Sequence, residues 1–135
     1  MADEASARGA GDAESTRRVA VAWMDAVTSC DEKAALALSS ERIVYTSGGH
    51  IRRYEGHDGV RDIIEDFARL SGFLVGTVLS SVAEPGIVAL QRVEKYTLPG
   101  GGVVISACSF VEVHDGVITR WADYKDSHAL NEFSA

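Results

Sequence analysis

Two strand-like runs, Val103 to His114 and Val117 to Tyr124, meet at His114-Asp115-Gly116. Asp-Gly between alternating runs is the strongest short-range hairpin signal, so this part of the chain is committed to an antiparallel pair. Alternation with β-branched content predicts further strands over Arg42 to Ser47, His50 to Tyr54, Phe73 to Val82 and Ile87 to Leu98. Upstream the period is helical: Val19, Ala22, Trp23, Ala26 and Val27 form one stripe with Arg17, Arg18 and Asp25 off it. Ser15 or Thr16 caps that helix. Asp31 caps a shorter helix through Ala34 to Leu38. Asp58 caps another, whose buried row is Val60, Ile63, Ile64, Phe67 and Leu70. Helices followed by hairpin-linked strands predict an α+β domain, a curved, mostly antiparallel six-stranded sheet with about three helices on its concave side. Such a bend leaves a pocket between sheet and helices.

A chain of 135 residues with 46% hydrophobic and 24% charged residues suits one domain, here residues 15–135, behind an Ala-, Gly- and acid-rich tail over residues 1–14. The net charge of -7, with no basic cluster beyond Arg17-Arg18 and Arg52-Arg53, argues against nucleic acid as a partner. Apolar runs are too short for a bilayer, and the N-terminus lacks a signal-peptide layout, so a cytoplasmic protein off the membrane is expected. Cys30 and Cys108 lack a CxxC spacing or neighbouring histidines and are expected to be reduced core or helix-end thiols, with no metal site. His50, His57, His114 and His128 fall in or beside turns or the C-terminal tail and are expected at the surface.

The stretch QRVEKY needs explaining. Strand alternation puts Leu90, Arg92, Glu94 and Tyr96 on one face, so a guanidinium and a carboxylate share the side that carries the leucine. If that face lines the pocket, the charges must be paired. In TRWADYKD, Thr119, Trp121 and Asp123 share a face, and Asp123 can complete a trio in which Arg92 bridges two carboxylates. Fully ionised, the trio carries one negative charge, so one carboxyl is expected to hold a proton and act as acid while the other acts as base. An acid and a base joined by one arginine suit the opening of a strained epoxide. The plainer reading makes Arg92 and Glu94 a solvent-facing pair, with Tyr45 and Trp121 ordinary core.

The stretches WMDAVTSCD, VYTS with YEGHDGV, QRVEKY and GVITRWADYKD resemble the limonene epoxide hydrolase family, within the SnoaL-like group of the nuclear transport factor 2 fold. The resemblance runs from Thr16 to Asp126. It implies a curved six-stranded sheet, a deep apolar pocket and a homodimer. It further implies cofactor-free hydrolysis of a small apolar epoxide, with Asp123 as base, Glu94 as acid, Arg92 as bridge, and Tyr45 with Ser47 holding the attacking water. Leu90, Tyr96, Trp121, Trp23, Phe67 and Leu70 are the expected pocket lining. Two positions depart from the family pattern: Ser47 replaces an asparagine, and Glu94 an aspartate. The shorter serine holds water more loosely, which favours a related activity, epoxide-opening cyclisation by a hydroxyl of the substrate itself. A third reading, from another class, is a dimeric small-ligand-binding domain without catalysis.

Overall fold

The computed structural model describes residues 11–48, 52–70, 73–98 and 100–125, apart from the side chains at 70, 73–75 and 98. Helix α1, Ala13–Thr28, is followed by α2, Glu32–Ala37, strands β1, Ser39–Ser47, and β2, Arg52–Glu55, and helix α3, Gly56–Leu70. Four long strands complete the domain: β3, Phe73–Glu84; β4, Ile87–Leu98; β5, Gly101–His114; and β6, Val117–Lys125. They form one six-stranded sheet in the order β2-β1-β6-β5-β4-β3. Every pairing is antiparallel except β1 with β6. The expected α+β architecture is therefore the observed one. His50, His128, residues 1–10 and the Leu70 side chain lie outside the described residues.

Asp115 and Gly116, at φ 51° and 77°, make the tight turn between β5 and β6, as the Asp-Gly pair requires. Along β5, Val103, Ile105, Ala107, Ser109, Val111 and Val113 are buried and the residues between them exposed, so this strand presents one face to the helices and one outward. Register shifts between Ser39 and Val44, Val78 and Ser80, and Glu112 and Val113 are bulges of the kind that bend a strand. The core joins Trp23 and Val27 of α1, Val60 and Ile63 of α3, Ile43 of β1, Leu90 of β4, Val111 of β5 and Trp121 of β6.

Several boundaries differ from expectation. Asp12 rather than Ser15 or Thr16 caps α1, its carboxylate accepting the Ser15 N–H at 2.6 Å. The buried stripe of α1 is turned slightly, with Ala20 and Met24 inside and Ala22 exposed, because Trp23 faces the sheet directly. Asp31 caps α2 as expected, through the Ala34 N–H. Helix α3 starts at Gly56, and Asp58 instead accepts Arg61 Nη1 at 2.7 Å. His57 is not a surface residue: it is half-buried, with Nε2 2.9 Å from the Ser39 carbonyl, tying the start of α3 to β1. Cys30 is free and follows α1; Cys108 is free and exposed on the outward face of β5, not in the core.

Candidate functional site

Strand alternation delivers the site. On β4, Leu90, Arg92, Glu94 and Tyr96 all point inward and are buried. On β6, Trp121 and Asp123 do the same. The parallel pairing of β1 with β6 sets Tyr45 opposite Trp121 and Ser47 opposite Asp123. Three strands distant in sequence thus aim polar groups into one space under α1 and α3.

Arg92 organises it. Its Nη1 donates to Glu94 Oε1, its Nη2 to Asp123 Oδ1 and its Nε to Ser109 Oγ, each at 2.8 Å. Asp123 Oδ1 also accepts the Ser109 hydroxyl and the Trp121 indole N–H, both at 2.6 Å. Asp123 Oδ2 accepts the Tyr45 hydroxyl at 2.5 Å. Glu94 Oε2 accepts the Tyr96 hydroxyl, and Lys125 Nζ lies 3.0 Å from Glu94 Oε1. Among the described residues no buried side-chain polar atom lacks a partner, so the cluster is a closed network, the condition under which buried charge is tolerated. Aromatic rings wall it in: Trp23 stacks on Trp121 at 4.7 Å and on Tyr45 at 6.2 Å.

Lys125 changes the charge count, because with it the cluster needs no shared proton to be neutral. Arg92 and Lys125 balance Glu94 and Asp123, so four ionised groups are neutral together. Burial alone would raise the Asp123 carboxyl, yet Arg92, Lys125, Ser109 and Tyr45 outweigh it and hold the group below its ordinary value. Burial would likewise raise Glu94, but Lys125, Arg92 and Tyr96 hold it low. For Arg92, burial works against the charge and the two carboxylates overcome it, pushing its pKa up. Burial, reinforced by the neighbouring carboxylates, pushes both Tyr45 and Tyr96 up and keeps their hydroxyls protonated.

Of the residues expected at the site, Arg92, Glu94, Asp123 and Tyr45 come together as anticipated. Ser47 sits on the right face and half-buried, but no hydrogen bond joins its hydroxyl to Asp123. Trp23, Phe67 and Trp121 line the cavity beside the cluster, as do Met24, Val27 and Thr28. Leu90 is plain core, and Tyr96 is buried as a partner of Glu94. Sequence reasoning missed Ser109 and Lys125. Each had a signal: Ser109 is a hydroxyl on the apolar face of β5, and Lys125 alternates onto the same face as Asp123. The cavity is tight, leaving ≈ 10 Å³ for the centre of a water-sized sphere. That is room for about one water, so a larger molecule must displace lining side chains.

Among the described residues no cluster of His, Cys, Asp or Glu is arranged to hold a metal, and no helix is long and apolar enough to cross a membrane.

The sequence model of the family described as SnoaL-like domain matches residues 20–121. No curated protein matches the chain. Solved structures do. An LEH-like epoxide hydrolase from M. tuberculosis is 22% identical with a TM-score of 0.71, over 89% of each chain. A candidate SnoaL-like polyketide cyclase from Shewanella putrefaciens is 17% identical with a TM-score of 0.76, over 87% of this chain and 84% of that one. A protein of ketosteroid isomerase-like fold from Catenulispora acidiphila, in complex with trimethylamine, is 14% identical with a TM-score of 0.76, over 86% and 91%. At these identities the likeness establishes the fold alone.

Proposed function

Because the chain belongs to the SnoaL-like domain family, matching its model over residues 20–121, we propose that the buried cluster opens an epoxide with water, giving a diol in one step. The observation that carries this reading is the asymmetry of Asp123. Its Oδ1 takes donors from Arg92, Ser109 and Trp121, whereas among the described residues Oδ2 takes only Tyr45. A carboxylate oxygen accepts about two hydrogen bonds, so Oδ2 has capacity for a water beside the Tyr45 hydroxyl. Asp123 is ionised at neutral pH and can remove a proton from that water as its oxygen attacks a ring carbon. The Arg92 guanidinium stays charged throughout and fixes the base, while the opened ring oxygen takes its proton from the group of side chains around Glu94. The apolar walls formed by Trp23, Phe67 and Trp121 suit a small apolar epoxide and exclude competing water.

Ser47 favours a second reading. With no hydrogen bond from its hydroxyl to Asp123, the attacking oxygen is held by Asp123 and Tyr45 only, and a hydroxyl of the substrate itself would be activated in the same place, giving a cyclic ether. Incubation with styrene oxide or a terpene epoxide in heavy-oxygen water separates the two: labelled diol supports hydrolysis. Cyclic ether from a hydroxy-epoxide, without diol, supports cyclisation. If neither forms, and Asp123→Asn and Glu94→Gln alter only ligand affinity, the non-catalytic reading holds instead. A homodimer belongs to the same proposal, supported by Val82, Val104 and Phe110, which are exposed on β3 and β5; sedimentation velocity reads it directly.

A further inference from the structure

Lys125, at the end of β6, brings the second positive charge of the cluster. Its Nζ lies 3.0 Å and 3.5 Å from the two carboxylate oxygens of Glu94 and 5.5 Å from the centre of the Phe67 ring. Its side chain is only 9% exposed. Glu94 and Phe67, the groups the ammonium faces, both line the cavity, so Lys125 lies one contact away from it. Among the described residues, the charged and titratable groups around it are Arg92, Glu94 and Tyr96 of β4 and Asp123 of β6, while α3 offers the uncharged Phe67 ring.

The donor count at Glu94 argues against it as the holder of a proton to give away. Oε1 faces Arg92 Nη1 and Lys125 Nζ; Oε2 faces the Tyr96 hydroxyl and, more distantly, the same Nζ. Guanidinium and ammonium nitrogens donate and do not accept, so a proton on Oε1 would be set against two donors. A proton on Oε2 would require Tyr96 to turn its hydroxyl away. Lys125 has three N–H bonds, and the two oxygens of Glu94 engage at most two of them.

We infer that the transferable proton of this site is held on Lys125 Nζ, with Glu94 a fixed carboxylate that positions the ammonium. On the epoxide reading, on which this role rests, Lys125 protonates the opened ring oxygen. A water proton passes to Asp123 Oδ2 as the water oxygen bonds to a ring carbon. The ring C–O bond breaks with its electron pair going to oxygen, and that oxygen takes a proton from Nζ. Asp123 and Lys125 both become neutral, Arg92 and Glu94 keep their charges, and the cluster is neutral before and after. Solvent exchange returns the proton from Asp123 to Lys125.

The test uses the full chain and the variants Lys125→Arg and Lys125→Met, with styrene oxide as the probe and carbon-13-labelled glutamate read by NMR. At neutral pH the Glu94 side chain is expected as a carboxylate in the wild type and in Lys125→Arg, whereas Lys125→Met takes up a proton on the cluster. A guanidinium keeps the charge but does not release its proton, so kcat of Lys125→Arg should fall about 10²–10⁴-fold with KM little changed. A protonated Glu94 in the wild type at pH 7 overturns the inference without any turnover assay, and so does wild-type kcat in Lys125→Arg. If the wild type turns over no epoxide while Glu94 is a carboxylate and Lys125→Met gains its proton, the proton's place stands and the epoxide reading falls. Should Lys125→Arg fail to fold, the wild-type and Lys125→Met spectra still decide it.

Discussion

Arg92 Nη2 and Asp123 Oδ1 lie 2.8 Å apart although their strands, β4 and β6, are not neighbours in the sheet. The guanidinium passes over β5, where the residue paired with Arg92 is Ala107. A small residue there leaves the inward face of β5 low enough for a long side chain to cross it. Removing the bridge strands two buried carboxylates: Arg92→Met should cost about 3–5 kcal/mol of stability, as breaking one side of a buried ion pair does. Arg92→Lys keeps the charge but not the fork that serves Glu94, Asp123 and Ser109 together, so it should fold and lose at least tenfold in kcat on an epoxide. Urea denaturation and styrene oxide turnover read the two effects separately.

Ser109 is the hinge between these charges. Its hydroxyl accepts from Arg92 Nε at 2.8 Å and donates to Asp123 Oδ1 at 2.6 Å, entirely out of solvent. Ser109→Ala leaves the Nε–H without a partner, which should cost about 1–3 kcal/mol. Thermal melts in parallel with turnover should show both falling, with KM less affected than kcat because the base, not the apolar wall, is loosened.

The site's legibility was uneven for physical reasons. Arg92 and Glu94 could be read because an alternating strand must place them beside Leu90 and Tyr96, and burial then forces a partner. The same alternation carries Lys125 onto the face of Asp123, but a lysine near a strand end looks like a solvated charge, and leaving it out gave the cluster a proton it does not need. Ser109 is similarly inconspicuous, because a serine among valines in β5 differs little in size from a tolerated gap. The β1 to β6 pairing left no periodic trace at all: it joins strands nearly eighty positions apart, and only that contact brings Tyr45 within 2.5 Å of Asp123. The tightness of the cavity depends on how α1 and α3 settle on the sheet, which no local pattern encodes.

Acid should unfold the domain along a particular course. Glu94 and Asp123 have folded-state pKa values below their ordinary ones. The folded state therefore binds fewer protons than the unfolded one near pH 4, and stability falls as pH falls. The stability these two groups lend is fully present above the ordinary carboxylate range of about 4 and is lost as the pH drops through their lowered values. Urea unfolding from pH 7 to pH 3 should show this slope, and the double variant Glu94→Gln with Asp123→Asn should show a shallower one. Because Asp123 remains ionised to low pH, turnover should not decline between pH 7 and pH 5; a decline there would mean that the base is another group.

Phe67 should set which substrates fit. It is half-buried, reaches the cavity from α3 and covers Lys125 at 5.5 Å. With room for about one water, a terpene-sized epoxide enters only by moving this ring or the unbranched, adaptable Met24 beside it. Phe67→Ala removes the obstacle and a large apolar contact at once, and the two consequences separate by substrate. For a small epoxide such as styrene oxide the lost contact dominates, and kcat/KM should fall about tenfold or more, since one methylene in an apolar pocket is already worth roughly 1–3 kcal/mol. For a bulkier terpene epoxide the opened space dominates and kcat/KM should rise relative to the wild type. Since a truncated aromatic also weakens the core by up to about 3–5 kcal/mol, Phe67→Leu is the control that keeps most of the packing. A matching fall for both substrates in Phe67→Leu would mean that Phe67 supports the fold and does not gate the cavity.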